Sequence, residues 1–136
     1  MKLICQQDLT LTLTSTSTLN RDMNTTRKIR NEERSLILFL LSQCGLQENE
    51  YPIAEEVFEY EGGIMGSINL AGSNPDLYDG DLIQVEYTES DGVEVIITLT
   101  KDSNNRLLDL DFWKMNFSKL ISYPTPDNVV VLRKNV

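Results

Sequence analysis

A chain of 136 residues, 40% of them hydrophobic, is sized for one domain with one buried core and is too apolar for wholesale disorder. It contains no histidine, which excludes Ser-His-Asp and Cys-His nucleophile systems, His-ligated zinc and the commonest general base near neutral pH. The net charge of −9 argues against nucleic acid and against anionic membrane surfaces as partners, because their phosphates would be repelled.

The longest apolar run, Leu36 to Leu41, falls far short of the roughly 20 residues needed to span a bilayer. Met1 to Gln7 turns polar too early for a signal-peptide core. The expected location is cytoplasmic. There the two cysteines, Cys5 and Cys44, are expected to stay reduced, with Cys44 a small core residue.

Residues 1–28 read differently from the rest. Leu9 to Thr14 alternates like a strand, but Ser15 to Thr18 has nothing to bury. This segment is read as a leader, disordered or added as an edge strand, and the domain as 29–136. A helix follows over Glu32 to Cys44, with Asn31 as its cap, Glu32 and Glu33 at the positive end of its dipole, and Gly45 as a left-handed stop. Leu36, Ile37, Leu40, Leu41 and Cys44 form one stripe, widened by Leu38 and Phe39. Such a helix belongs against a sheet.

The remainder reads as strands. Ile53–Glu61 and Ile64–Leu70 flank Gly62-Gly63 as a hairpin, and Leu82–Glu89, Val93–Thr100 and Arg106–Phe112 follow. Ile83, Val85 and Tyr87 share a face with Val93, Val95, Ile97 and Leu99 only if the loop between them is odd, and Ser90-Asp91-Gly92 is. The four residues Asp102 to Asn105 then align Leu99, Ile97 and Val95 with Leu108, Leu110 and Phe112. Pro124 and Pro126 break the pattern, and Val129 to Leu132 forms a short last strand or a docked tail. The predicted fold is α+β: one N-terminal helix on an antiparallel β-meander of about five strands.

Three segments resemble a family of small bacterial domains of unknown function. Glu61-Gly62-Gly63-Ile64-Met65-Gly66-Ser67-Ile68 resembles its "DGGMGS" turn, with Glu for Asp and an inserted Ile. Asp91 to Leu99 resembles a "DG-V-V-TL" strand, and Leu108 to Ser118 (LDLDFWKMNFS) resembles an "ELDFWKVDFS" signature. The resemblance spans Ile29 to Pro124 and brings no activity, cofactor or catalytic residue with it.

Charge is the most informative remaining feature. Between Ser35 and Thr100 there are thirteen carboxylates and no Lys or Arg, while each flank carries six basic and four acidic residues. The glycines near Ser67 precede a strand and lie beside Glu59 and Glu61, which suits a hairpin and not a phosphate loop. Asp76, Asp79 and Asp81 lack calcium-loop spacing, and Glu55-Glu56 with Glu86 read as solvated strand faces. Asp109, Asp111 and Trp113 would share one strand face. Two readings stay open there: a recognition surface, or a Trp113 that folds back with Phe117 to close the core while Asp111 caps a turn.

The composition therefore points to a binding protein and not an enzyme, with no cofactor and no metal. Its expected partner is a basic protein, in the sharpest form a bacterial toxin such as a nuclease neutralised by an immunity-type inhibitor. An unspecified adaptor domain and an unrecognised enzyme are the alternatives. Partner contacts are expected at Glu55, Glu59, Glu86, Glu94, Asp109, Asp111 and Trp113.

Overall fold

The computed structural model of the protein describes residues 21–60, 65–70 and 75–135. Its elements are β1 (Arg21–Lys28), α1 (Asn31–Gln43), β2 (Glu56–Tyr60), β3 (Ile68–Asn69), β4 (Tyr78–Thr88), β5 (Glu94–Asp102), β6 (Leu107–Lys114) and β7 (Val130–Lys134). Short 3-10 turns lie at Pro75–Leu77 and Pro126–Asn128. The class is α+β, mostly sheet.

Two expectations need correction. The described strands number seven in one antiparallel sheet, not about five, in the order β1-β2-β3-β6-β5-β4-β7. Only β4, β5 and β6 form a simple meander, because β3 pairs with β6 through Ile68↔Leu110 and Asn69↔Asp109. The helix is not the first element, since β1 precedes it and pairs with β2. Of the segment read as a leader, residues 21–28 are thus an added strand, and residues 1–20 lie outside the described residues.

The helix forms where the stripe requires it. Leu36, Ile37, Leu40 and Leu41 are buried in one cluster with Val57, Ile68, Val85, Val95, Ile97, Leu99, Leu110 and Phe112 from the inner face of the sheet. Asn31 is the first helical residue and not the cap. Arg30 takes the cap position, and its backbone N–H donates to the Glu33 carboxylate at 2.9 Å, which satisfies an otherwise orphaned donor. At the other end Gly45 has φ +72°. Its N–H reaches Ser42 O and the Leu46 N–H reaches Leu41 O, the Schellman arrangement that closes a helix. Cys44 is half-buried against the core, and burial raises its thiol pKa.

Strand parity follows the sequence pattern. Ile83, Val85 and Tyr87 oppose Leu99, Ile97 and Val95, and Gly92 in the three-residue loop has φ +82°. The next hairpin keeps the faces but shifts the register. Leu99, Ile97 and Val95 oppose Leu110, Phe112 and Lys114 instead of Leu108, Leu110 and Phe112. The cause is local: the buried Asp102 carboxylate accepts from the N–H groups of Asn104 and Arg106, winding a tight turn, and the ladder is irregular between Leu99 and Lys101. β2 and β3 pair through Phe58↔Asn69 and Glu59↔Ile68, and the turn expected at Gly62-Gly63 lies outside the described residues. β6 runs on to Lys114, which opposes Val95 and points inward by the same parity as Leu110 and Phe112.

Candidate functional site

Alternation along β6 sends Leu110, Phe112 and Lys114 inward and Asp109, Asp111 and Trp113 outward. On that outer face Trp113 opposes Ile96 of β5, Ile96 opposes Glu86 of β4, and Glu86 opposes Val130 of β7. These four side chains form a row across the sheet. Glu94, at the start of β5, is the outward neighbour of Ile96 along its strand. Trp113 is 47% exposed and Phe117 59%. Their rings meet edge to face at 5.0 Å between centroids, a favoured aromatic geometry. The pair therefore stands on the surface instead of folding back into the core. Met115 and Ile121 are also exposed in the same stretch of chain.

The carboxylates on this face differ in their surroundings. Asp109 accepts hydrogen bonds from the Tyr60 hydroxyl and from Asn69 Nδ2. Asp111 accepts from Ser67 Oγ at 3.0 Å instead of capping the following turn. Desolvation raises the Asp111 pKa and repulsion from Asp109 and Asp81 adds to it, while the Ser67 hydrogen bond opposes them. Among the described residues, Glu86, Glu94 and Asp111 make no ion pair.

The chain after Trp113 is held by charges on the opposite face. Lys114 is fully buried, and its Nζ lies 2.6 Å from Glu89 Oε1 and 2.8 Å from Asp91 Oδ2. It also donates to Lys119 O at 3.2 Å. Glu89 Oε2 accepts the backbone N–H groups of Ile121 and Ser122, both at 2.9 Å, and the Tyr87 hydroxyl donates to Ser122 O at 3.0 Å. Burial pushes the Glu89 carboxyl up, but the bonds from Lys114, Ser122 and Ile121 outweigh it and leave the pKa below its ordinary value. Burial likewise pushes the Lys114 amine down, and Asp91 and Glu89 more than reverse that. The loop from Met115 to Tyr123 is thereby fastened to the β4–β5 hairpin.

This loop also carries the one aromatic residue in a left-handed conformation, Phe117 at φ +63°. A bulky side chain pays roughly 1–2 kcal/mol there. An exposed ring recovers little of that by burial, so packing does not account for the strain.

A concave feature lies on the inner face, near the start of α1. A cavity of about 250 Å³ is lined by Arg27, Arg30, Glu33, Glu59, Ser67 and Tyr123 among others. Arg27 donates to both oxygens of the buried Glu33, at 2.9 and 2.7 Å, and its Nε donates to Glu59 at 2.6 Å. The Glu33 hydrogen bond holds the Arg27 pKa above its ordinary value against the opposing effect of burial. Two guanidinium groups face two carboxylates here, so the cavity is neutral and its charges are spent on one another. The arrangement joins β1, α1 and β2.

The acidic stretch is thus less acidic in space than in sequence. Among the described residues, six of its thirteen carboxylates take a basic partner from the flanks. Glu48 meets Arg34, Glu59 meets Arg27, Asp79 meets Lys101, Asp81 meets Arg133, and Glu89 and Asp91 meet Lys114. Of the residues expected to contact a partner, Glu86, Glu94, Asp109, Asp111 and Trp113 come together on the outer face. Glu55 is exposed ahead of β2, and Glu59 faces inward within the cavity. Sequence reasoning passed over Met115, Ile121 and the Lys114–Glu89 pair. Alternation held the signal for the pair, because Lys114 continues Leu110 and Phe112 as Glu89 continues Val85 and Tyr87.

Among the described residues no helix is long and apolar enough to cross a membrane. Neither a curated protein nor a solved structure matches the chain. A family model does match over residues 26–124, from β1 through the loop that Glu89 and Lys114 fasten. The chain belongs to the family described as Domain of unknown function (DUF6984).

Proposed function

We propose that this is a binding protein, not an enzyme, and that it engages a basic protein partner through the outer face of its sheet. One observation carries the reading: the exposed Trp113–Phe117 pair stands on the same face as Glu86, Glu94 and Asp111, which make no ion pair among the described residues. Interface energy concentrates in aromatic anchors, with charges around them that orient the partner. A net charge of −9 adds long-range steering, which raises association rates by roughly 10 to 1,000-fold. The sharpest form of this function is immunity-type neutralisation of a basic toxin, such as a nuclease, by covering its nucleic-acid-binding surface. An adaptor role would use the same face.

The test compares capture from a native lysate by the wild-type protein and by the triple reversal Glu86→Lys, Glu94→Lys, Asp111→Lys, each at low and high salt. The captured protein is then purified and titrated with both forms. A basic protein whose affinity drops with salt and is lost in the reversal variant supports the reading. Binding indifferent to both would sink it.

A further inference from the structure

We propose, resting on the reading above, that the outer face accepts an arginine side chain of the partner, its guanidinium stacked on Trp113 and hydrogen-bonded to Asp111 or Glu94. Trp113 sits between these carboxylates. Asp111 precedes it by two residues on β6, so both side chains leave the same face. Ile96 lies directly opposite Trp113, and Glu94 flanks Ile96 on that face, diagonal to the indole. Diagonal neighbours in a sheet stand about 7–8 Å apart, a gap that one long side chain can bridge.

The chemistry of that gap selects the guest. Nearly half of the indole is open, and a tryptophan face attracts cations through its quadrupole. A guanidinium is flat and presents five N–H donors in its own plane, so it can stack on a ring while its edge serves a carboxylate. An ammonium group is a compact point charge that must choose between ring and carboxylate. Among the described residues Glu86, Glu94 and Asp111 have no cation partner, and Asp111 accepts a hydrogen bond from Ser67, so all can receive one. The site is also held in place. Phe117 braces the indole edge to face, and the buried Lys114–Glu89 pair fixes the loop that carries Phe117. Little side-chain order would have to be created on binding.

Three synthetic peptides serve as probes: acetyl-Gly-Arg-Gly-Arg-Gly-amide and its lysine and norleucine counterparts. The protein has a single tryptophan, so its indole N–H resonance reports on this site without ambiguity. The expected result is a saturable shift with the arginine peptide, at least fivefold weaker affinity for the lysine peptide, and no shift with norleucine. Read by titration calorimetry, because the substitution removes the indole reporter, Trp113→Leu should abolish the arginine preference, and Asp111→Asn and Glu94→Gln should each weaken it several-fold. All three positions are exposed, and circular dichroism confirms that the variants are folded. Equal affinity for lysine, no shift with any peptide, or an unaffected Trp113→Leu variant would overturn the inference. If one of these holds while the charge-reversal variant still loses a basic partner, only the arginine assignment falls. If the reversal variant keeps its partner, the outer-face reading itself falls.

Discussion

The two faces of the sheet treat charge in opposite ways. On the inner face Lys114, Glu89 and Glu33 are almost wholly buried, and each is held by a partner of opposite sign. On the outer face Glu86, Glu94 and Asp111 keep contact with solvent and carry no ion pair among the described residues. Burial forces this division, because a desolvated charge is tolerable only when paired and hydrogen-bonded. Folding consumes part of the acidic stretch in ion pairs, exposed ones such as Arg133–Asp81 and Lys101–Asp79 as well as buried ones, and leaves the rest to solvent. Counting carboxylates along the sequence overstates that remainder.

The largest effect should come from breaking an inner pair. Glu89→Ala leaves Lys114 with Asp91 alone and frees the Ile121 and Ser122 amides, so a loss of about 3–5 kcal/mol is expected in denaturant unfolding. A loss below about 1 kcal/mol would erase the contrast between the faces.

Acid should reproduce part of that effect. The folded pKa of Glu89 lies below its ordinary 4.5. Its contribution is therefore complete above that value and is lost as pH falls through the lower, folded one. The Ile121 and Ser122 amide resonances should shift together in that acidic window, and the step should vanish in Glu89→Gln.

Outer-face changes should be smaller. Phe117→Gly relieves about 1–2 kcal/mol of left-handed strain. It also removes a ring contact of about 0.5–1.5 kcal/mol and adds glycine's chain entropy of about 0.5–1 kcal/mol. Stability should change by less than about 1 kcal/mol, while the indole resonance of Trp113 moves. Glu86→Gln and Glu94→Gln should be smallest, within about 0.5 kcal/mol of wild type in denaturant. A large destabilisation by either would show that outer charges serve the fold.

Much of this division could be read from residue order. Period-two alternation sorted Val95, Ile97 and Leu99 from Glu94 and Ile96, and it sent Trp113 outward. Gly45 and Gly92 occupy the left-handed positions that their turns demand. Register was not legible. It depends on the Asp102 carboxylate gathering two backbone amides and on an irregular pairing near Thr100, which no periodicity announces. The placement of β3 beside β6 was equally hidden, because two residues of ladder carry almost no pattern. The Arg27–Glu33–Glu59 cluster joins three elements far apart in sequence, and only the assembled sheet brings it together.

Lys114 also makes the protein a reporter on its own motions. Acylating reagents attack an uncharged amine that they can reach, and this one is enclosed, protonated and held by two carboxylates. Lys28, Lys119 and Lys134 stand in solvent and should be modified at ordinary rates. Modification at Lys114 must wait for the loop to lift. Mass spectrometry of the reaction over time would then count those openings one by one, and a bound partner that clamps the loop would slow the count.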